Sequence, residues 1–177
     1  MFPELTTQRL LLREINAEDA EGIYSYLSNE EVMKYYGRDT LKNLNEAKEI
    51  TEIYSKNFEE NRGIRWGIEV QDAKGIIGTV GFHNMRQLHK RAEIGYEIHP
   101  DYWRKGYASE AISKALSFGF QELDLNRIGA IVFKENKASV NLLMKMGFEQ
   151  EGVLKEYMYQ NGEPHDTYVY SLLKNAR

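Results

Sequence analysis

Apolar residues recur along this chain in two rhythms, and the switches between them outline its elements. A short apolar run at residues 9–15, built on Leu10, Leu11, Leu12 and Ile15, predicts a first strand. Asn16 then predicts an N-cap for a helix carrying Ala20, Ile23, Tyr24 and Leu27 at helical spacing. Residues 29–40, which contain Tyr35-Tyr36-Gly37, hold no sustained period and read as an irregular segment. Asn45 predicts the cap of a second helix through Ile50, Ile53, Tyr54 and Phe58, ending before Gly63. Strands are predicted at 66–70, 76–82 and 91–98, the first two joined by Asp72-Ala73-Lys74-Gly75. A helix over 108–120 presents Ala111, Ile112, Ala115, Leu116 and Gly119 on one face. A strand at 128–133 and a helix over 138–146, stopped by Gly147, follow. Arms at 148–159 and 165–173 predict a hairpin turned at Asn161-Gly162. With no repeat and no linker rich in Pro, Gly or Ser, the order β-α-α-β-β-β-α-β-α-β-β predicts one α/β domain over residues 6–177.

Chemistry concentrates where the strand at 91–98 meets the helix at 108–120. The break His99-Pro100-Asp101 leads into Tyr102-Trp103-Arg104-Lys105-Gly106-Tyr107-Ala108-Ser109, a basic, glycine-containing turn that opens directly into the helix. The first N–H groups of a helix lack internal partners and sit at the positive end of its dipole, so this junction is an anion site. Gly106 and Ala108 are small enough for a phosphate to approach the main chain. Neither the dinucleotide nor the nucleoside-triphosphate glycine pattern is present, which leaves another phosphorylated cofactor. Composition narrows the class further. The 177 residues contain no cysteine, which excludes thiolate catalysis and disulfides and is compatible with a cytoplasmic protein. A net charge of −4 argues against a nucleic-acid partner, and no secretory leader or membrane-length apolar run is visible.

The turn resembles the pyrophosphate loop of the GNAT (Gcn5-related) N-acyltransferases. That loop reads Gln or Arg, two residues, Gly, one residue, then Gly or Ala. Here Gly106 and Ala108 hold the small positions, while Trp103 stands where the family has Gln or Arg, as in its RimJ/RimL-like branch. Other blocks resemble the same branch in the same order: Thr7-Gln8-Arg9-Leu10-Leu11-Leu12-Arg13, Asn136-Lys137-Ala138-Ser139, and Lys145-Met146-Gly147-Phe148. The resemblance implies a mixed central sheet flanked by helices, with two parallel strands splayed around the pantetheine of acetyl-CoA. It implies pantetheine contacts near Ile98 and pyrophosphate contacts from the backbone of Arg104, Lys105, Gly106, Tyr107 and Ala108. Ser109 would add a hydroxyl, Asn136 would meet the pantetheine or acyl end, and Lys145 would reach toward the nucleotide.

The implied reaction is attack of an amine on a thioester, so a base, an oxyanion site and a proton for the leaving sulfur are required. Neutralising an α-amine of pKa about 8 costs roughly 1.4 kcal/mol at pH 7, whereas a lysine of pKa about 10.4 costs roughly 4.6 kcal/mol. Glu93, in an Ala-Glu-Ile context like that of related acetyltransferases, is the favoured base and Glu97 the second. His83 is a further relay candidate, although a lone histidine at a strand end is more often structural. The position where many family members carry an acid tyrosine is Leu143, which leaves Ser139 to hydrogen-bond the sulfur. Without that tyrosine, a non-catalytic acyl-CoA-binding module is the alternative reading. The acceptor groove is expected to be lined by Tyr35, Tyr36, Glu97 and Asp166, with Tyr157 and His165 nearby. The branch implies a protein N-terminal α-amine as acceptor, with spermidine or another small amine as alternative, and family members are often homodimers. The four histidines show no ligand spacing, so no metal is expected.

Overall fold

The computed structural model describes residues 1–176. The chain enters the sheet through a two-residue strand, β1 (Leu5–Thr6), and β2 (Leu10–Glu14). Asn16 then caps the next turn as expected. Its side chain accepts from the Glu18 N–H at 2.9 Å, while Asp19 accepts from the Asn16 N–H at 2.9 Å. Helix α1 (Ala20–Leu27) follows.

The 29–40 segment is more ordered than its pattern predicts. Asn29 caps a four-residue helix, α2 (Glu30–Met33). A single turn is too short to show a period, and only its cap is visible in the sequence. Helix α3 (Leu44–Glu59) is capped two residues earlier than expected, because Asn43 rather than Asn45 accepts the Glu46 N–H. Its buried stripe uses Ala47, Ile50 and Thr51, and Ile53 lies on the exposed side.

Strands β3 (Ile64–Val70), β4 (Ile76–Arg86) and β5 (Arg91–Ile98) form an antiparallel meander. After β5 come α4 (Tyr107–Gln121), β6 (Arg127–Phe133), α5 (Lys137–Lys145), β7 (Glu149–Gln160) and β8 (Glu163–Leu173). The β7–β8 turn places both Asn161 and Gly162 at positive φ, as a two-residue hairpin loop of this type requires. Among the described residues eight strands form one sheet in the order β1-β2-β3-β4-β5-β6-β8-β7, in which only β5 and β6 run parallel.

Strand alternation sorts the side chains onto two faces. On one face Trp66, Val80, Phe82 and Ile94 pack beneath α4, whose Ala111, Ile112, Ala115 and Leu116 are buried there. Gly119 lets α4 approach closely, since a Cβ there would lie 2.8 Å from the Phe82 ring. On the other face, α1 and α3 build a second cluster from Ile15, Ile23, Tyr26, Leu27, Ala47 and Ile50 with Ile76. The site lies where these two layers communicate, at the β5–β6 junction.

Candidate active site

Strands β5 and β6 pair through only three positions, Arg91–Arg127, Ala92–Ile128 and Glu93–Gly129. Beyond them β6 continues against β8 while β5 continues against β4, so the two strands part. Backbone polar groups point to alternate edges of a strand. The His99 N–H bonds Ile77 of β4, which puts the groups of Tyr96 and Ile98 on the opposite, cleft-facing edge. Past Glu93 they have no strand partner, and buried backbone groups require one. The Ile98 carbonyl is met in part by the indole of Trp103, at 2.7 Å. Trp103, the departure from the family pattern, therefore ties the loop to the end of β5.

A cavity of about 840 Å³ runs through this opening, lined by residues of both sheet faces. At one end lies the glycine turn. Arg104 and Gly106 both adopt positive φ, +60° and +79°, so the loop curls back on itself before α4 begins. Arg9 braces it from below. Its guanidinium bonds Glu110 at 2.7 Å and the Lys105 carbonyl at 2.9 Å, and it stacks over the Tyr107 ring. Arg104, Gly106, Tyr107, Ala108 and Ser109 line the cavity here. Lys105 does not: its ammonium turns back to the Asp101 carbonyl at 2.9 Å.

In the middle, on the α5 side, the Tyr96 and Ser139 hydroxyls lie 2.6 Å apart. Burial pushes the Tyr96 phenol up to about 12, opposed by its bond to Ser139, so it keeps its proton at neutral pH. Asn136 lines the cavity as the N-cap of α5, its side chain accepting the Ser139 N–H at 3.2 Å. Leu143 is buried there too. Tyr96 thus brings a phenol beside Ser139 from the opposite strand, a residue that local pattern alone does not single out.

The other face carries the ionisable groups. The β4–β5 register sets His83 opposite Glu93, Gly81 opposite Gly95 and Thr79 opposite Glu97. His83 lines the cavity, whereas Glu93 does not. The expected base stands behind the histidine: Glu93 Oε2 lies 3.3 Å from His83 Nε2 and accepts from the Asn84 side chain at 3.2 Å. The contact with His83 chiefly holds the Glu93 carboxyl below the usual carboxylate range, against the effect of burial. With Nε2 turned to Glu93, Nδ1 is the nitrogen on the Gly95 side, 3.5 Å from where a Cβ there would sit.

Glu97 does line the cavity, but its carboxylate is already engaged. It accepts from Arg65 and Thr79 in two short contacts and from the Tyr36 hydroxyl at 3.3 Å. Burial is the largest influence and works against the charge on Arg65, but Glu97 together with Tyr54, Tyr36 and Tyr26 outweighs it and holds the guanidinium above its ordinary value. Burial also raises Tyr36, with the Glu97 charge adding to it. Tyr35 and Tyr36 line this end as expected. Lys145 lies exposed in the last turn of α5, away from the cavity. Asp166 is spent on the Glu156 N–H at 2.9 Å and on Lys134. Tyr157 is exposed and His165 stacks on Phe133, and neither lines the cavity.

A parallel strand pair that opens beside a glycine turn at a helix N-terminus defines the acyl-CoA N-acyltransferase architecture, and the unpaired β5 edge and the loop fit pantetheine and pyrophosphate. Residues 9–149 match the family model described as an acetyltransferase (GNAT) domain, and the chain belongs to that family. It is 55% identical to the uncharacterized N-acetyltransferase YoaA of Bacillus subtilis (strain 168), over 98% of both chains. It is also similar to the crystal structure of spermidine N-acetyltransferase from Vibrio cholerae in complex with CoA and spermine. That match has a TM-score of 0.84 and 29% identity, covering 96% of this chain and 98% of the other. The ribosomal L7/L12 α-N-protein acetyltransferase RimL, at 17% identity and a TM-score of 0.86 over 99% of this chain and all of the other, shares the fold. The protein is an acetyl-CoA-dependent N-acetyltransferase, as its resemblance implied.

Proposed function

We propose that the acceptor is the α-amine at the N-terminus of a peptide or protein, and that His83 receives its proton. The observation that carries this reading is the charge balance of the acceptor end. Its two carboxylates, Glu31 and Glu97, share the lining with two cations, Lys34 and Arg65, and Glu97 is paired directly with Arg65. A polyamine brings several positive charges and needs uncompensated carboxylates to offset their desolvation. A single α-amine does not. The similarity to a spermidine acetyltransferase keeps the polyamine acceptor as the competing outcome of the test.

Acetyl-CoA supplies the activated acetyl thioester. The loop from Arg104 to Ser109 is assigned to the pyrophosphate, and the free β5 edge at Tyr96 and Ile98 to the pantetheine amides. His83 Nδ1 accepts the ammonium proton, and Glu93, 3.3 Å from Nε2, orients the ring. The cleft-facing amide N–H of β5 is a donor for negative charge developing on the carbonyl oxygen. Tyr96 Oη, bonded to Ser139, holds the proton required by the departing sulfur. Because an α-amine costs only about 1.4 kcal/mol to neutralise at pH 7, an imidazole suffices as base. The test is acetyl-CoA-dependent thiol release with peptides bearing Ala, Ser or Met N-termini, with spermidine, and with free amino acids. Selective turnover of an N-terminal peptide supports the proposal. Preference for spermidine overturns it.

A further inference from the structure

Arg65 has a geometry that pairing with Glu97 does not use up. It stands on β3 opposite Gly81 of β4, which in turn stands opposite Gly95 of β5. The three positions form a row across one sheet face, and the two glycines leave the row open. A Cβ at Gly81 would lie 3.0 Å from Arg65 Cδ, and one at Gly95 would lie 2.8 Å from Arg65 Nη1. The side chain therefore lies flat across both strands, 11% exposed. Its Nε donates to Thr79 Oγ1 at 2.7 Å and its Nη2 to Glu97. The guanidinium lies over the Tyr54 ring at 5.6 Å, and Nη1, which makes no hydrogen bond among the described residues, lies over Gly95 where both residues line the cavity. The His83 ring borders the same spot, with Cε1 and Nδ1 3.4 and 3.5 Å from the would-be Gly95 Cβ.

A guanidinium nitrogen and an imidazole facing one small space make a specific demand on the occupant. A bare ammonium beside the guanidinium is repelled, the more so with little water to screen it. An amine with a hydrogen-bond-accepting oxygen a few ångströms away satisfies both groups. We infer that Arg65 Nη1 and His83, above Gly95, form an α-aminoacyl subsite, with Arg65 donating to the carbonyl oxygen of the acceptor's first residue. The inference rests on the α-amine reading and deepens it: Arg65 is the residue that distinguishes an aminoacyl acceptor from a polyamine, which has no such oxygen.

The test compares a peptide with the same peptide carrying an (E)-alkene in place of its first amide, which keeps the shape and removes the oxygen. Wild-type enzyme is expected to prefer the amide by about 10- to 100-fold in kcat/KM. The amines of the two peptides differ in pKa, and that difference cancels when the preference is compared between enzyme forms. In Arg65→Lys, which leaves a cation for Glu97, the preference collapses toward unity. Gly95→Ala, whose methyl group displaces Nη1, collapses it independently should the lysine variant fold poorly. Peptide affinity in the presence of CoA, measured by calorimetry, follows the same order. A preference that survives both substitutions overturns the inference while leaving the α-amine reading intact. Turnover of spermidine with none of either peptide overturns both.

Discussion

Replacing His83 by Gln keeps a polar side chain at the cavity and removes its ability to take a proton. Two magnitudes set the expected loss. A positioned general base is worth about 10²–10⁴ in rate. An α-amine of pKa about 8 is only one-tenth neutral at pH 7, so about tenfold of that factor is neutralisation itself. The Gln variant is therefore expected to lose about 10²- to 10⁴-fold in kcat/KM at pH 7. At pH 9 the amine is already about nine-tenths neutral, and the loss narrows by about tenfold. Glu93→Gln acts through the ring, since Glu93 meets His83 Nε2 at 3.3 Å and does not line the cavity. Without the carboxylate the ring loses the partner that orients it, so kcat/KM is expected to fall, by less than in His83→Gln. The assay is thiol release at subsaturating peptide from pH 6 to 9, with acetyl-CoA saturating. A His83→Gln loss that stays constant across this range would refute the assignment, as would no loss at all.

Gly106→Val forces a β-branched residue to a φ of +79°, at about 1–2 kcal/mol, with its Cβ 3.2 Å from Arg9 Nη2. CoA affinity by calorimetry is expected to fall about 10- to 100-fold, and an unchanged Kd would remove this loop from the pyrophosphate. Tyr96→Phe should lower kcat about 10- to 100-fold. It should also weaken binding of CoA several-fold while sparing desulfo-CoA, and equal effects on the two ligands would contradict a role at the sulfur. For stability, Glu151 beside Arg127 is held at about 2, and Glu93 and Glu110 are also depressed. Depressed carboxyls stabilise the fold above about pH 4.5, and their contribution is lost as pH falls through their folded values. The urea midpoint should drop between pH 5 and pH 3, and Glu151→Gln should flatten part of that drop.

What was legible in the sequence is what is local. Strand β5 is legible at its full extent because a turn precedes it and Pro100 closes it. The anion-binding turn was legible because glycine, basic residues and a helix start are contiguous. Strand β1 and helix α2 escaped because two and four residues are too few to show a period. Strand β4 runs past Phe82 to Arg86 because it remains paired to β5 where its apolar pattern has ended. The acid–base groups were harder, because register decides them. Glu93 and His83 are ten residues apart in sequence but directly opposite in the hairpin, and only that pairing reveals which of them reaches the cavity. Tyr96 reads as an ordinary strand tyrosine until Ser139, 43 residues later, arrives beside it. Arg65 gives no signal at all until two glycines on neighbouring strands fall into line with it.

Whether this acetyltransferase acts on an aminoacyl α-amine, as proposed, is decided by a single competition. A peptide with a free N-terminus and one internal lysine is mixed with equimolar spermidine, limiting acetyl-CoA and enzyme at pH 7.5. Products are then resolved by mass spectrometry. Acetyl is expected on the peptide α-nitrogen, with the lysine side chain and spermidine essentially untouched. Acetyl-spermidine as the dominant product, or label on the lysine in preference to the N-terminus, would contradict it.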